Sequence, residues 1–230
     1  MKNKTFKRIK PIESNLHKIS YLQKYKRMKI IAIGRNYIEH AKELNNPVPK
    51  EPMFFMKPET ALIRNNKPFF YPDFSKEIHY ETEIVFKICK LGKNIEPKFA
   101  NRYFQEIGIG IDFTARDLQK KCKENGKPWE IAKSFDGSAP ISKFIPKTYF
   151  PDLNNLEFSL DKNGETVQEG NTKNMIFNFD AIIAYISKFV TLKIGDLVFT
   201  GTPAGVGEIK IGDKLSASIN NKLMLDFKIK

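Results

Sequence analysis

His79-Tyr80-Glu81-Thr82-Glu83-Ile84-Val85-Phe86-Lys87-Ile88-Cys89 is the stretch on which the fold turns. Beyond its two glutamates the run is almost wholly apolar and rich in β-branched residues, which predicts one long strand over 79–89. Side chains alternate along a strand, so His79, Glu81 and Glu83 are expected on one face. Two carboxylates about 7 Å apart by strand rise do not sit comfortably ionised side by side unless something positive lies between them. A second apolar run, Ile107-Gly108-Ile109-Gly110-Ile111, reads as a buried strand and delivers Asp112 at its end. Three hard oxygen donors on rigid strands suit Mg²⁺ or Mn²⁺ better than zinc. The competing reading is an exposed strand face, with Glu81 and Glu83 in water and Asp112 capping a turn. His79 on the same face, and the cost of an unpaired carboxylate at the end of an apolar strand, tip the reading to a cation site.

Working outward, 29–33 is a short apolar strand and Gly34-Arg35-Asn36 turns it into a helix over 37–44. Asn36 is the expected N-cap, with Glu39 completing a capping box. Residues 53–56 read as a buried strand, and 61–63 and 68–71 as short strands around Asn65-Asn66. Residues 97–106 have helical spacing. Thr114 is the expected cap of a helix over 115–124, closed by Asn125-Gly126-Lys127-Pro128, and 129–140 reads as loop. Residues 156–160 and 165–169 predict a hairpin across Asn163-Gly164, whose Asn-Gly favours a primed turn. Residues 179–189 form an amphipathic helix, 197–200 a strand, and 215–219 pairs with 223–229 across Asn220-Asn221-Lys222. Strands outnumber short, scattered helices, and no regular βαβ alternation appears, so the expectation is α+β, mainly β, and not a doubly wound sheet.

Composition narrows the function. The 230 residues fit one domain, with 41% hydrophobic residues and 19 Phe to supply its core. Cys89 and Cys122 are the only cysteines and suggest neither a disulfide framework nor a zinc site, so a reducing cytoplasm is the default. The longest apolar stretch, 181–186, is too short to span a bilayer. Most of the net charge of +13 lies in residues 1–27, with nine Lys or Arg and one acid. This arm has no apolar core of a secretory signal. It is expected to be a disordered basic extension preceding a catalytic domain over 28–230. Nucleic-acid or membrane docking by the arm is the weaker reading of a basic run.

Other residues carry chemistry. His40 and Glu43 stand three apart on one helix face, and a carboxylate beside an imidazole can orient the ring and raise its basicity. An ordinary surface pair is the alternative. Arg116 and Gln119 share the same spacing just after Asp112, aimed above the cation to hold a carboxylate or carbonyl. Lys120, Lys121 and Lys123 read as a solvated face. Lys133, between Ala132 and Phe135, is a candidate buried ammonium in need of an anionic partner, and Arg35 could do similar work. The loop Gly201–Gly207 lacks the Lys-Ser/Thr ending of a phosphate loop. It reads either as a tight loop offering N–H groups and the Thr202 hydroxyl to an anion, or as a plain turn.

These blocks, Gly34-Arg35-Asn36-Tyr37-x-x-His40-x-x-Glu43, His79-Tyr80-Glu81-x-Glu83, Asp112-Phe113-Thr114-Ala115-Arg116-Asp117-x-Gln119, Ala132-Lys133-Ser134-Phe135, Gln168-Glu169-Gly170 with Met175-Ile176-Phe177, and Thr200-Gly201-Thr202-Pro203-x-Gly205-Val206-Gly207, together resemble the fumarylacetoacetate hydrolase family. The likeness is to its short members of acylpyruvase and oxaloacetate decarboxylase type. It implies a mixed β-sandwich roll with short peripheral helices, and a homodimer. It implies Mg²⁺ or Mn²⁺ on Glu81, Glu83 and Asp112, and a water-activating dyad of His40 and Glu43 on a short lid helix. Arg116, Gln119, Lys133 and Thr202 fall on the family's substrate-binding positions. The activity expected first is hydrolysis of a C–C bond in acylpyruvates, with a small 2-oxo acid as substrate. Oxaloacetate decarboxylation or tautomerisation, or double-bond isomerisation, on the same site is the alternative.

Overall fold

A computed structural model describes residues 28–43 and 47–230. The basic arm expected over 1–27 lies outside the described residues. So does the predicted end of the first helix at 44–46.

In chain order the strands are β1 (Ile30–Gly34), β2 (Met53–Lys57), β3 (Leu62–Ile63), β4 (Ile78–Tyr80), β5 (Thr82–Ile88), β6 (Phe104–Ile111), β7 (Thr114–Ala115), β8 (Ala139–Pro140), β9 (Ile145–Pro146), β10 (Glu157–Lys162), β11 (Glu165–Asn171), β12 (Leu197–Phe199), β13 (Gly207–Glu208), β14 (Lys214–Ile219) and β15 (Lys222–Lys228). The helices are α1 (Ile38–Glu43), α2 (Pro97–Ala100), α3 (Arg116–Glu124), α4 (Glu130–Lys133) and α5 (Phe179–Phe189). The mainly-β class follows the sequence reading. A mixed six-stranded sheet runs β2-β1-β12-β5-β6-β9, and an antiparallel four-stranded sheet runs β11-β10-β14-β15. Among the described residues, only β1 and β12 pair parallel in the larger sheet.

The run 79–89 is not one strand. It breaks at Glu81, and β4 pairs with β7 and β13 in a small separate sheet while β5 continues into the large one. The opposite chain bends at the same level: Thr82 is registered with Ile111, whereas His79 is registered with Thr114. Across the bend the Asp112 N–H donates to Glu81 O at 2.8 Å. Two paired strands that leave one sheet together form a corner, and the two carboxylates sit on it.

Local chemistry explains the elements that match. Asn163 and Gly164 have φ of 58° and 90°, and Asn220 and Asn221 have φ of 46° and 62°, so both hairpins turn through two left-handed residues of a kind Asn and Gly tolerate. Helix α5 is capped by Asn178, whose side chain accepts from Ala181 N at 2.9 Å. Its Phe179, Ile182, Ile183 and Ile186 are buried, and the Phe179 ring meets Phe86 and Phe104 on the large sheet. Each such aliphatic side chain contributes about 1.5–3 kcal/mol.

Other expectations are corrected. Asn36 does not cap α1: it is fully buried and its amide ties distant loops, donating to Thr200 O at 2.7 Å and Phe177 O at 3.0 Å and accepting from Phe177 N at 2.8 Å. Glu39 is exposed and pairs with Lys42. Thr114 lies in β7 with its hydroxyl on Asp112 O at 3.3 Å, so α3 begins without a side-chain cap. The helix expected over 97–106 ends at Ala100, because Phe104 is drawn into β6. Strand β2 is only partly buried, as it edges the large sheet. Residues 62–63 pair with β8, across the chain, rather than with 68–71, and Glu130–Lys133 is a short helix rather than loop.

Candidate active site

The corner gathers the acids. Glu81, Glu83 and Asp112 are all buried, and one oxygen of each lies within 4.8 Å of the others. Glu81 comes from the break before β5, Glu83 from β5 itself, and Asp112 from the end of β6.

Cations pair with two of these acids, Glu81 and Asp112. Lys133 Nζ donates to Glu81 Oε2 at 2.7 Å and to Asp112 Oδ2 at 2.8 Å. Arg116 reaches Glu81 Oε1 at 2.7 Å with one amino group and Gln119 Oε1 at 2.7 Å with the other. Lys57 Nζ lies 2.7 Å from Asp112 Oδ1. Burial alone would raise the pKa of Glu81, but Lys133 and Arg116, and then His40, hold it far below the usual carboxylate range. Burial likewise opposes the charge on Lys133, yet Asp112 and Glu81 keep its pKa above the ordinary lysine value.

Glu83 differs. Its Oε2 accepts from Gly201 N at 2.7 Å, and it has no ion-pair partner among the described residues. Burial, and then the charges of Asp112 and Glu81, push its pKa well above the usual range. This is the electrostatic environment that a divalent cation relieves, and three carboxylates are the hard donors that Mg²⁺ or Mn²⁺ takes. The donor set therefore fits such an ion.

The dyad also forms. His40 is buried on α1, and its Nδ1 lies 3.0 Å from Glu43 Oε2. The other oxygen of Glu43 accepts from Gly205 N at 2.9 Å. A carboxylate in this place accepts from Nδ1–H, and in a neutral ring that tautomer leaves Nε2 as the acceptor. The loop Gly201–Gly207 thus gives N–H groups to Glu83 and Glu43, both carboxylates of the chain itself. Gly201 can do so because its φ is +94°, and a Cβ there would come within 2.7 Å of Asn36 Cβ. The Thr202 hydroxyl is committed as well, donating to Thr82 O at 2.9 Å and accepting from Gln168 Nε2 at 2.7 Å.

Arg35, His40, Glu81, Glu83, Asp112, Arg116, Gln119, Lys133 and Thr202 border one small cavity of about 30 Å³, and Glu43 backs it from behind His40. A larger hollow of about 750 Å³ lies elsewhere, against Phe69, Phe70 and Phe74, and holds none of these groups. Arg35 stands at φ 58° with its guanidinium 5.9 Å from the centre of the Trp129 ring. His79 does not join the acids: its Nε2 meets Glu77 at 2.9 Å. The break at Glu81 turns β4 into another sheet and removes the shared face that the sequence spacing suggested.

Three groups at the site were not singled out as functional from sequence. Lys123 borders the cavity beside Trp129, although its neighbours on α3 are a solvated face. Gln168 ties Thr82 N, Thr202 and Pro203 together from β11. Lys57 is fully buried at the end of β2. Lys57 did carry a signal: a lysine closing the apolar run Met53-Phe54-Phe55-Met56 and followed by proline has no obvious route to water.

A carboxylate cluster on a bent β corner, flanked by buried lysines and an imidazole–carboxylate pair, is the site of a polar-substrate enzyme of β-roll architecture. The fumarylacetoacetate (FAA) hydrolase C-terminal model matches residues 29–229, and the chain belongs to the fumarylacetoacetate hydrolase family. Its relatives are enzymes. The mitochondrial oxaloacetate tautomerase FAHD1 of Mus musculus is 43% identical over 201 residues, covering 87% of this chain and 91% of that protein. The mitochondrial oxaloacetate decarboxylase of Dictyostelium discoideum is 44% identical over 192 residues, covering 83% and 88%. The crystal structure of fumarylpyruvate hydrolase from Pseudomonas aeruginosa in complex with Mn²⁺ and pyruvate superposes with a TM-score of 0.84 at 35% identity, covering 88% of this chain and 89% of that one. No helix among the described residues is long and apolar enough to cross a membrane.

Proposed function

We propose that this chain is a divalent-metal-dependent oxaloacetate tautomerase, with decarboxylation of the same 2-oxo acid as a linked activity. The relatives favour this over acylpyruvate hydrolysis, which the sequence reading put first. The observation that carries it is the buried trio Glu81, Glu83 and Asp112, lining one cavity together with His40.

Glu81, Glu83 and Asp112 would hold the ion. Bound there, Mg²⁺ or Mn²⁺ would supply Lewis-acid polarisation of a 2-oxo carbonyl and its neighbouring carboxylate. The chain supplies the rest. Lys133, Arg116 and Gln119 offer donors for a substrate carboxylate, and Arg35 adds positive charge at the mouth. In the keto-to-enol direction His40 Nε2 accepts a proton from C3, and that electron pair becomes the C2=C3 bond. The proton held on His40 then passes to the 2-oxo oxygen, so one C–H bond is exchanged for one O–H bond and the imidazole returns to its neutral form. Glu43 holds the ring by Nδ1 and stabilises the imidazolium that forms. In decarboxylation no C3 proton is taken, since the C3–C4 bond supplies the electron pair as CO₂ leaves.

A second reading keeps C–C hydrolysis of acylpyruvates, because the same His40–Glu43 pair could deprotonate a water. The fumarylpyruvate hydrolase similarity favours it. On the same footing we propose a homodimer, placed in the cytoplasm or an organelle matrix, with residues 1–27 dispensable for chemistry and nucleic-acid binding by that arm set aside.

The test follows enol-oxaloacetate absorbance, pyruvate and CO₂ separately, with Mg²⁺ or Mn²⁺, beside acetylpyruvate as competitor substrate. Tautomerisation well above buffer is expected, falling about 10²–10⁴-fold in His40→Ala. Acetylpyruvate cleavage without tautomerisation would restore the hydrolase reading. Unchanged rates in His40→Ala would remove the dyad from the mechanism.

A further inference from the structure

We propose that Lys57 is a positioning residue of this site, clamping Asp112 and the helix that carries Lys133 in one arrangement. The carboxylate oxygens that face the cavity can then be given to a divalent cation without either side chain swinging away. The proposal rests on the metal reading above and adds a residue to it.

The two buried lysines are held differently. The Lys133 ammonium spends its hydrogen bonds on carboxylates alone, Glu81 Oε2 and Asp112 Oδ2, and it borders the cavity. An incoming cation competes with it directly for those oxygens. The Lys57 ammonium has three hydrogens and neutral acceptors for them: Lys133 O, Ser138 O at 3.2 Å and Ser138 Oγ at 2.9 Å. Asp112 Oδ1 lies beside it at 2.7 Å as an ion-pair partner. Lys57 is fully buried and does not border the cavity. It therefore joins the end of β6, through Asp112, to the last residue of α4 and to Ser138, from the side a ligand does not reach. Ser138 completes the joint by donating its hydroxyl to Lys133 O at 2.9 Å.

Charge and position predict opposite signs. Deleting either ammonium removes a positive charge from beside the carboxylates, which by itself favours a cation. Losing a group that orients a metal ligand weakens metal binding, commonly 10–100-fold. Lys133 is expected to show the first effect and Lys57 the second.

The experiment titrates the full chain with Mn²⁺ and reads free Mn²⁺ by electron paramagnetic resonance, for wild type, Lys57→Met, Lys133→Met and Ser138→Ala, with circular dichroism to establish folding. The expected result is a Kd raised about tenfold or more in Lys57→Met and lowered in Lys133→Met. A Kd equal to or below wild type in folded Lys57→Met overturns the proposal, since that is charge alone or no role. Should Lys57→Met fail to fold, Ser138→Ala decides: it trims one partner of Lys57 without touching a carboxylate, so a severalfold rise in Kd is expected and an unchanged Kd overturns the proposal. Failure of the wild-type chain to bind Mn²⁺ overturns the metal reading and this one with it. Wild-type binding with an unaltered Lys57→Met overturns this one alone.

Discussion

At the scale of single residues, the site depends on polar side chains that the core encloses. Asn36 is the clearest of them. Its one amide satisfies a carbonyl and an N–H of Phe177 and the carbonyl of Thr200, and so fixes the approach to α1 against the strand that leads into the Gly201 loop. Asn36→Ala would leave those groups unpaired in a buried place, at about 1–3 kcal/mol for each group that finds no water. The expected outcome is a lower urea midpoint with an unchanged slope, together with a loss of turnover, because His40 and Gly201 both hang from this joint. A variant as stable as wild type would mean that the amide holds nothing in place.

At the scale of elements, α3 and the chain before β4 are tied together by Asp117. Its carboxylate accepts from Ser75 Oγ at 2.6 Å, Lys76 N at 3.2 Å and Leu118 N at 2.8 Å. Burial, the largest single influence, would raise its pKa, but these donors and the Lys121 charge together hold it below its ordinary value of 3.8. A depressed carboxylate pKa stabilises the fold above the unfolded value, and that contribution is lost as pH falls through the folded one. The melting-temperature gap between wild type and Asp117→Asn is therefore expected to be widest above about pH 5 and to close as pH drops below 3.8. A gap that is constant with pH would assign the effect to packing. Elements set by local chemistry were the easiest to read. Helix α5 runs over the predicted 179–189 because its apolar spacing and Asn178 cap agree, and the Asn163-Gly164 hairpin forms because no other short turn suits those φ values so well. Elements set by distant partners are not legible in this way: β3 pairs with Ala139–Pro140 and not with its neighbour in sequence.

At the scale of the whole molecule, the carboxylates, the cations around them and the dyad come from five separate stretches of chain, 40–43, 57, 81–83, 112–116 and 133. An ion that binds only this assembled arrangement stabilises the fold by mass action, about 2.7 kcal/mol at a hundredfold excess over its Kd. The purified chain is expected to melt several degrees higher with Mn²⁺ or Mg²⁺ than with a chelator, and substituting Glu83→Gln should abolish most of that difference. Equal melting temperatures with and without the ion would place the carboxylates in a purely structural network with Lys57, Lys133 and Arg116.

The longer strands, the two hairpins and the amphipathic helix were legible in the sequence, which also offered Glu81, Glu83, Asp112, His40, Glu43 and Lys133 as candidates, because periodicity, turn chemistry and motif spacing act over a few residues. The place where β4 parts from β5, the exclusion of His79, the anchoring by Asn36 and the burial of Lys57 against Asp112 were decided only in three dimensions. Their partners stand as far as 164 residues away in the chain, and a charge shows its counter-charge only once folding has taken water from both.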